Sequence, residues 1–348
     1  MIVIGGEALV DLVEDDGLLR PVAGGGPFNT AVAFGRLGVA VGFLGVISRD
    51  TFGQMLARQL VEAGVDTSLV RWSDAPTPRA LVHRDRDGDH EFTFDVRGTT
   101  LVDLPSHRLP DLPDDAWAIH VGTLALAIDP PAAAYEAFVD REAGRRQIIL
   151  DPNVRPAIFG DVVTYRRRFE RLAQLADLVK LSEDDAAWIY PGRGVEAVLE
   201  LILGFGPRVV AVTRGANGAL GGSRDGFADV PGIRVTVVDT IGAGDSFGAA
   251  FVAALVDEGS FGPRATRAAD EAVLSRAVSY AVAASAITCT RTGAVPPSRD
   301  EIEAQLRALG VARGAPDAAE PASPTTRRVG VGSVEHRHAL PAKEDGDT

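Results

Sequence analysis

Apolar and polar residues follow two patterns along the chain, one typical of strands and one typical of helices, and together these patterns predict a layered α/β fold. Short apolar runs typical of buried strands alternate with segments whose apolar residues have helical spacing. The predicted strands are residues 2–4, 40–47, 117–121, 147–150, 177–181 and 208–213. The predicted helices are residues 51–63, 131–143, 164–176, 195–203 and, last, 298–309. This βαβα order predicts a mostly parallel central sheet covered by helices on both faces.

The region 77–97 has a different pattern. ALVHR (80–84) and HEFTFDV (90–96) flank an Asp-Gly turn signal in RDGD (86–89), which predicts a β-hairpin. Together with residues 12–22, this hairpin is expected to form a small separate sheet that covers an active site as a lid.

The end of the chain lacks periodicity. From residue 310 onward Pro, Ala, Gly and charged residues dominate. We therefore expect one domain over residues 1–311 and a disordered tail over residues 312–348.

Composition narrows the class of protein. Of the 348 residues, 46% are hydrophobic and 24% are charged, as in ordinary globular proteins. The formal net charge of −13 argues against nucleic acid or an anionic membrane as a partner, so an anionic ligand must be met locally by helix N-termini, a metal ion or a few placed cations. Cys289 is the only cysteine, which excludes an intramolecular disulfide. The N-terminus has no basic region, and no apolar run reaches the ~20 residues of a spanning helix. A cytoplasmic protein is expected.

The stretch VVDTIGAGDSF (237–247) is the most informative motif. Alternating apolar residues predict a strand over residues 232–239, and apolar residues at helical spacing predict a helix over 246–259 that ends at Gly259. Gly242 to Asp245 thus form a strand-to-helix turn, in which glycine amides and the helix N-terminus can bind an anion.

Asp245 has two interpretations at this turn. It can cap the helix, which is worth about 1 kcal/mol. It can also act as a general base that takes a proton from a substrate hydroxyl while the neighbouring amides stabilise a transferring phosphoryl group. The spacing GxGxxxG (242–248) is also close to a dinucleotide fingerprint, but a carboxylate directly after the second glycine would oppose a pyrophosphate. No GxxxxGK[ST] motif occurs, which excludes a Walker-type nucleotidase.

A second glycine cluster, VAGGGPFNTAVAFGRLG (22–38), leaves room for a ligand to contact the backbone. Asn29 offers both hydrogen-bond donors and acceptors, and residues 30–37 are predicted to be a short helix closed by Gly38. A polyhydroxylated ligand would suit this cluster. A plain glycine-rich loop is the alternative.

Taken together, GGGPFNTAVAFGRLG (24–38) and DTIGAGDSF (239–247) resemble the two signatures of the PfkB, or ribokinase-like, family of carbohydrate kinases. Segments DPNVRP from Asp151, VKLSEDDA from Val179 and VTRGANGA from Val212 resemble the family in the same order, and the similarity extends over residues 2–309. The resemblance implies a ribokinase-like α/β fold with a β lid. It also implies transfer of the γ-phosphoryl group of ATP to a sugar hydroxyl with Mg²⁺.

The resemblance also implies roles for individual residues. Asp245 would be the catalytic base, with the amides of Gly242, Ala243 and Gly244 as the anion hole. Sugar hydroxyls would be bound by Asp11, Gly25, Gly26 and Asn29, and the nucleotide by Thr213, Gly215 and Gly218. Asp239 and the carbonyl of Ile241 would bind a monovalent cation such as K⁺.

Two segments bear on the metal and the substrate. The family's Asn-x-x-Glu segment, which organises Mg²⁺ through water, reads Ser182 to Asp185 here, so Ser182 is assigned to the nucleotide site and Asp185 to Mg²⁺. Glu183 and Asp184 are the alternatives for the metal. Arg155 could bind a carboxylate bidentately, as expected for a 2-keto-3-deoxygluconate kinase, or approach the phosphates.

The DPNxR and GGGPFN patterns resemble fructokinases and favour fructose or a similar neutral hexose. A 2-keto-3-deoxygluconate kinase, a ribokinase or nucleoside kinase, and a catalytically inactive sugar-binding paralogue stay as alternatives. An apolar lid face would allow a homodimer, as in related kinases.

Overall fold

The computed structural model describes residues 1–15, 18–84, 90–104, 109–156, 158–159 and 161–310. Within these residues the larger sheet has nine strands. In spatial order they are β13 (Phe227–Val230), β12 (Ala219–Ser223), β11 (Val209–Thr213), β10 (Leu178–Ser182), β9 (Gln147–Asp151), β8 (Ala118–Gly122), β1 (Ile2–Gly5), β4 (Val41–Ser48) and β5 (Val70–Ser73). Neighbours from β5 to β11 are parallel, and β12 and β13 extend the sheet in antiparallel fashion. The prediction of a mostly parallel sheet is confirmed.

Helices cover both faces of this sheet. They are α1 (Gly26–Arg36), α2 (Thr51–Glu62), α3 (Pro131–Glu142), α4 (Val162–Leu175), α5 (Glu183–Ile189), α6 (Val195–Phe205), α7 (Ala243–Asp257), α8 (Glu271–Cys289) and α9 (Arg299–Ala308). Successive residues of a strand point to opposite faces, so Ile4 packs with Phe251 of α7 in one core and Val3 packs with Phe138 of α3 in the other. Burial on both faces explains why the strands are continuously apolar, and each buried Phe contributes about 1.5–3 kcal/mol.

A second, smaller sheet has the spatial order β3 (Leu18–Gly24), β2 (Leu9–Asp15), β6 (Arg79–Arg84) and β7 (His90–Asp95). Strand β2 pairs antiparallel with β3 and parallel with β6, and β6 pairs antiparallel with β7. This is the predicted small sheet. The predicted turn at 86–89 and the predicted tail at 312–348 lie outside the described residues, so the domain boundary stays a prediction.

One predicted strand is wrong. Residues 232–239 form no strand, because the amides of Val238 and Asp239 donate hydrogen bonds to the carbonyl of Cys289, at 2.8 and 3.3 Å, and not to a neighbouring strand. The helix that follows begins at Ala243, earlier than expected, and Gly259 follows its end with a φ of +70°.

Three strands, β5, β12 and β13, and two α-helices, α5 and α8, are present without having been predicted. Among the described residues, α8 is the one helix whose length and composition would allow it to cross a membrane. It packs against α7 and β13, and this position in the core accounts for its apolar composition.

Candidate active site

Two cavities meet at the start of α7, on the edge of the large sheet where its parallel strands have their carboxyl ends. The first cavity, of about 700 Å³, lies between the two sheets, and the second, of about 570 Å³, lies beside α7 and α8. Val237, Thr240 and Gly244 line both cavities. In open α/β sheets ligands bind at this edge. Two ligands could therefore meet end to end at Gly244.

The first cavity contains all the residues that were predicted to bind a sugar. Its lining includes Asp11, Gly25, Gly26, Asn29 and Arg155. Asp11 comes from β2 of the small sheet, Gly25 and Gly26 from the start of α1, and Arg155 from the loop after β9. Burial raises the pKa of Asp11 to about 7, against the opposing effect of the Arg155 charge.

The glycines of the first signature are required by close contacts. A Cβ atom on Gly26 would lie 2.5 Å from Thr123 Oγ1 and 2.8 Å from Asn153 Nδ2. Gly25 has a φ of +101°, and its Cβ would lie 2.8 Å from the carbonyl oxygen of Glu7. The glycines therefore let the N-terminus of α1 approach the ends of β1, β8 and β9.

Thr123 and Asn153 themselves have positive φ angles, of 58° and 38°, which non-glycine residues seldom adopt. Both line the first cavity, directly after β8 and shortly after β9. Backbone strain of this kind clusters at functional sites. The strained residues thus line the same cavity as the residues that were predicted to bind a sugar.

Asp245 lies in the first turn of α7 and lines the first cavity, although it is 7% exposed. Gly242 and not Asp245 is the N-cap, and this N-cap has no side-chain capping hydrogen bond; Asp245 is the acidic residue of the first turn, where the helix N-terminus favours its negative charge. The carboxylate accepts a hydrogen bond from Asn29 Nδ2 at 2.9 Å. Burial raises its pKa to about 6, against the opposing charge of Lys180. At neutral pH this carboxylate is mostly ionised and can accept a proton.

The turn before Asp245 has the geometry of a helix N-terminus open to ligand. Gly242 is the N-cap with a φ of 76°, and a Cβ on it would lie 2.6 Å from the Cβ of Ala294. Gly242 lines the first cavity, Ala243 the second, and Gly244 both. The Ala243 amide donates to the carbonyl of Thr240 at 3.2 Å. At 3.2 Å this hydrogen bond lies at the upper end of the normal range.

The second cavity contains the residues that were predicted to bind a nucleotide. Thr213, the last residue of β11, lines it together with Gly215 and Gly218 of the turn that follows. The apolar wall consists of Ile233, Val235, Phe247, Val282 and Ala286. A slot with apolar walls and a polar end is suited to a flat base whose phosphates point toward the start of α7.

Ser182 and Asp185 line neither of these two cavities. They form a capping box at the start of α5: Ser182 Oγ accepts from the Asp185 amide at 3.0 Å, and Asp185 Oδ2 accepts from the Ser182 amide at 2.8 Å. The other oxygen of Asp185 accepts from the Val154 amide at 2.6 Å. Asp185 thus holds the loop that bears Arg155, and the acidic residue of this segment that lines the first cavity is Asp184.

The predicted monovalent-cation residues lie beside the first cavity. Asp239 and Ile241 line it, and the two carboxylate oxygens of Asp239 accept from the amides of Ile241 and Gly293, at 3.0 and 2.9 Å. Within the described residues, no three His, Cys, Asp or Glu side chains are grouped closely enough to hold a metal ion. A Mg²⁺ ion that keeps several waters and binds chiefly to nucleotide phosphates fits this arrangement.

Three charged groups of the site were not recognised from the sequence. Glu7 is 3% exposed and lines the first cavity. Its Oε2 accepts from the Ala125 amide at 3.2 Å, and burial raises its pKa to about 7. Lys180 and Asp151 form a buried ion pair at 3.0 Å. In the sequence, each of these three charged residues interrupts or ends an apolar run, and this interruption is the pattern from which they could have been recognised.

Comparison with known proteins agrees with this geometry. The pfkB family of carbohydrate kinases matches residues 6–301. A fructokinase of Rhizobium leguminosarum bv. trifolii is 38% identical over 279 residues, which cover 79% of this chain and 85% of that protein.

Two solved structures have the same fold over nearly their whole length. The fructokinase of Vibrio cholerae O395 with bound fructose, ADP and calcium ion gives a TM-score of 0.77 at 27% identity, covering 88% of this chain and 98% of that one. The fructokinase of Xylella fastidiosa with bound ATP gives 0.79 at 26% identity, covering 89% and 98%. The chain belongs to the pfkB family of carbohydrate kinases.

Proposed function

We propose that this protein is a fructokinase, which transfers the γ-phosphoryl group of ATP to a hydroxyl of fructose. The observation that carries the proposal is the position of Asp245, an ionisable carboxylate in the wall of the first cavity, next to Gly244, which lines both cavities. The sugar would bind in the first cavity and ATP in the second.

The reaction follows from this arrangement. Asp245 accepts the proton of the sugar hydroxyl as that oxygen forms a bond to the γ-phosphorus, and the bond from this phosphorus to the β,γ-bridging oxygen breaks to release ADP. The amides of Gly242, Ala243 and Gly244 stabilise the charge on the phosphoryl oxygens. Asp245 then loses its proton to solvent. Mg²⁺ would neutralise charge on the phosphates, and Asp184, or Asp185 after a shift of α5, would hold it through water.

The charges of the first cavity favour a neutral sugar. Among its described lining residues, Arg155 carries the one positive charge. The carboxylates that line the same cavity are Glu7, Asp11, Asp184, Asp239 and Asp245. Glu7 and Asp11, whose pKa values burial raises to about 7, are only partly ionised at neutral pH, but an acid sugar would still add a negative charge to an acidic group, at a cost that low local dielectric enlarges. Arg155 would then serve sugar hydroxyls and phosphate oxygens. Its Nη1 is already oriented by bonds to the carbonyl and Oδ1 of Asn153, at 3.1 and 2.6 Å.

Further parts of the proposal concern ions, assembly and location. Asp239 and the Ile241 carbonyl would bind K⁺ beside the anion hole.

Leu18 and Leu19, which are 69% and 52% exposed on the edge strand β3, would pair two lids in a homodimer. A Leu19→Lys variant that still elutes as a dimer would contradict this interface. An ATP-dependent enzyme with a single cysteine would work in the cytoplasm.

The test is an assay of ADP release with fructose, ribose, 2-keto-3-deoxygluconate and adenosine at saturating MgATP. We expect the highest kcat/KM with fructose. Turnover with the acid sugar alone would overturn the assignment to fructose. Binding of fructose and ATP without turnover of any of the four would identify a catalytically inactive paralogue.

A further inference from the structure

The third glycine of GAGDSFG has no part in the proposed reaction, and its surroundings lead to a buried lysine. A Cβ on Gly244 would lie 3.1 Å from Lys180 Nζ, and a Cβ on Gly248 would lie 3.9 Å from Lys180 Cδ. The two glycines are one helical turn apart and therefore lie on the same face of α7. The end of the Lys180 side chain lies along this face beneath the anion-binding turn, with Cδ near Gly248 and Nζ near Gly244.

Lys180 lies outside the two proposed binding cavities. Its side chain is 5% exposed, and it lines neither the first nor the second cavity. Its Nζ donates a hydrogen bond to Asp151 Oδ2 at 3.0 Å, and the Asp151 side chain is 4% exposed. The two residues lie on adjacent parallel strands, one position beyond the pair Val179 and Leu150. Removing one partner of such a pair leaves an uncompensated buried charge.

The groups around this pair are mainly acidic. Lys180 is flanked by the carboxylates of Asp151, Asp185 and Asp245, which together raise its pKa although burial lowers it. His120, on β8, also faces Lys180, and burial lowers the pKa of His120 to about 3, so this imidazole is neutral. The lysine is thus a permanent cation among three buried acids.

Asp245 is faced by charged and polar groups from several elements. These are Lys180 of β10, Asp151 of β9, Asn29 of α1, Arg155 of the loop after β9, and Asp11 of β2. Burial has the largest effect on the pKa of Asp245 and raises it. The charge of Lys180 has the second largest effect and lowers this pKa, whereas the charge of Asp151 raises it. Arg155 and Asn29, which also favour the ionised form, lie in the first cavity, where a bound sugar would engage them.

We propose that Lys180 is a positioning residue for the phosphoryl transfer proposed above: from beneath the first turn of α7 its ammonium keeps the Asp245 carboxylate ionised, and Asp151 holds and moderates this charge. A larger residue at 244 would crowd the ammonium, since its Cβ would lie 3.1 Å from Nζ, whereas a Cβ at 248 would make an ordinary contact with the lysine. This role rests on the proposed function, since it concerns the base of that reaction.

The decisive experiment compares Lys180→Met with Asp151→Asn. Methionine keeps the length of the side chain and removes its charge, and asparagine keeps an oxygen that can accept from Lys180 Nζ. We measure kcat/KM for fructose at saturating MgATP from pH 5 to 9. In Lys180→Met the acid limb of the kcat/KM profile should move to higher pH by at least about 0.5 unit, because Asp245 has lost a nearby opposite charge. In Asp151→Asn the acid limb should move to lower pH, because Asp245 has lost a nearby like charge. Lys180→Arg should return the limb toward its wild-type position.

Shifts of opposite sign distinguish this role from a packing role. A loss of rate at all pH values with an unmoved limb in both variants would overturn the proposal. If Lys180→Met does not fold, as judged by its thermal transition, Asp151→Asn decides alone, and an unmoved or upward-shifted limb would overturn the proposal.

A titration of the carboxyl carbons by ¹³C NMR, on ligand-free protein labelled in Asp, removes the dependence on turnover. The Asp245 signal is assigned by its absence from Asp245→Asn. Its pKa should rise in Lys180→Met and fall in Asp151→Asn. If these shifts occur in a protein that phosphorylates no sugar, the proposed function fails while the electrostatic link between Lys180 and Asp245 stands. Unchanged titration in both variants would overturn that link.

Discussion

Asn29 Nδ2 donates a hydrogen bond of 2.9 Å to Asp245 Oδ2, across a separation of 216 positions in the sequence. One bond thus joins the two glycine-rich segments that the sequence presents separately. Asn29 Oδ1 is buried and makes no hydrogen bond within the described residues, so it can accept one from a ligand. The amide therefore orients the base with one end and is available to a sugar hydroxyl with the other.

The first prediction concerns this bond. Asn29→Ala should raise the pKa of Asp245, because the donated hydrogen bond favours its ionised form. The acid limb of kcat/KM should move to higher pH, and KM for fructose should rise at least about tenfold with the loss of a hydrogen-bonding group. Gln54→Ala, on the exposed side of α2, is the control. A pH profile and KM equal to those of the control would contradict the account.

The second prediction concerns stability without ligands. The pKa of Asp11 is raised from 3.8 to about 7 in the folded protein. The folded state thus binds the extra proton, so this contribution to stability is fully present below about pH 4 and is lost as the pH rises through 7. Asp11→Asn should therefore raise Tm at pH 8, by about 2 °C or more, and by less at pH 5. A lower Tm for the variant at pH 8 would contradict burial as the cause of the shift.

The third prediction separates two glycines. Gly218 lines the second cavity and has a φ of +90°. A Cβ atom on it would lie 2.0 Å from the carbonyl oxygen of Val230. Gly218→Ala should therefore weaken ATP binding at least about tenfold and lower Tm, since the backbone must move. A Cβ atom on Gly204 in α6 would have nothing within 4 Å. Gly204→Ala should therefore raise the free energy of unfolding by about 0.5–1 kcal/mol without affecting ATP binding. Calorimetric titration with ATP checks both, and equal affinities in the two variants would contradict the location of the nucleotide site.

The fourth prediction concerns the small sheet. Phe94 of β7 and Leu9 of β2 line the first cavity, so a bound sugar would contact this sheet directly. Closure over the sugar excludes water from the phosphoryl group. Hydrogen exchange in β2 and β6 should slow when fructose is added, while that of α9, whose residues line neither cavity, stays the same. Unchanged exchange in both strands would contradict a lid.

Much of the fold could be predicted because local pattern and global structure agree. The strands that end at Gly5, Gly122 and Asp151 are buried on both faces, and their apolar runs indicated this directly. Residues 232–239 were misjudged for a physical reason. Ile233 and Val235 line the second cavity. The alternation of apolar and polar residues, which is typical of a strand, here places apolar side chains in the wall of a cavity.

The candidate site could be predicted only in part. The signatures located Asp245, Asn29 and the nucleotide glycines, and these line the two cavities. The segment 182–185 could not be resolved from sequence, because a capping box and a metal site use the same residue types. Pairing of Lys180 with Asp151 depends on the register of two strands, which apolar runs leave open.

The central claim is that Asp245 is the base of a sugar kinase, and Asp245→Asn tests it most directly. Asparagine keeps an oxygen for the Asn29 bond and removes the proton acceptor. At saturating fructose and MgATP we predict that kcat falls at least about a hundredfold, while the affinity for ATP, measured by calorimetric titration, changes little. A near-normal kcat in a folded Asp245→Asn protein would contradict the account.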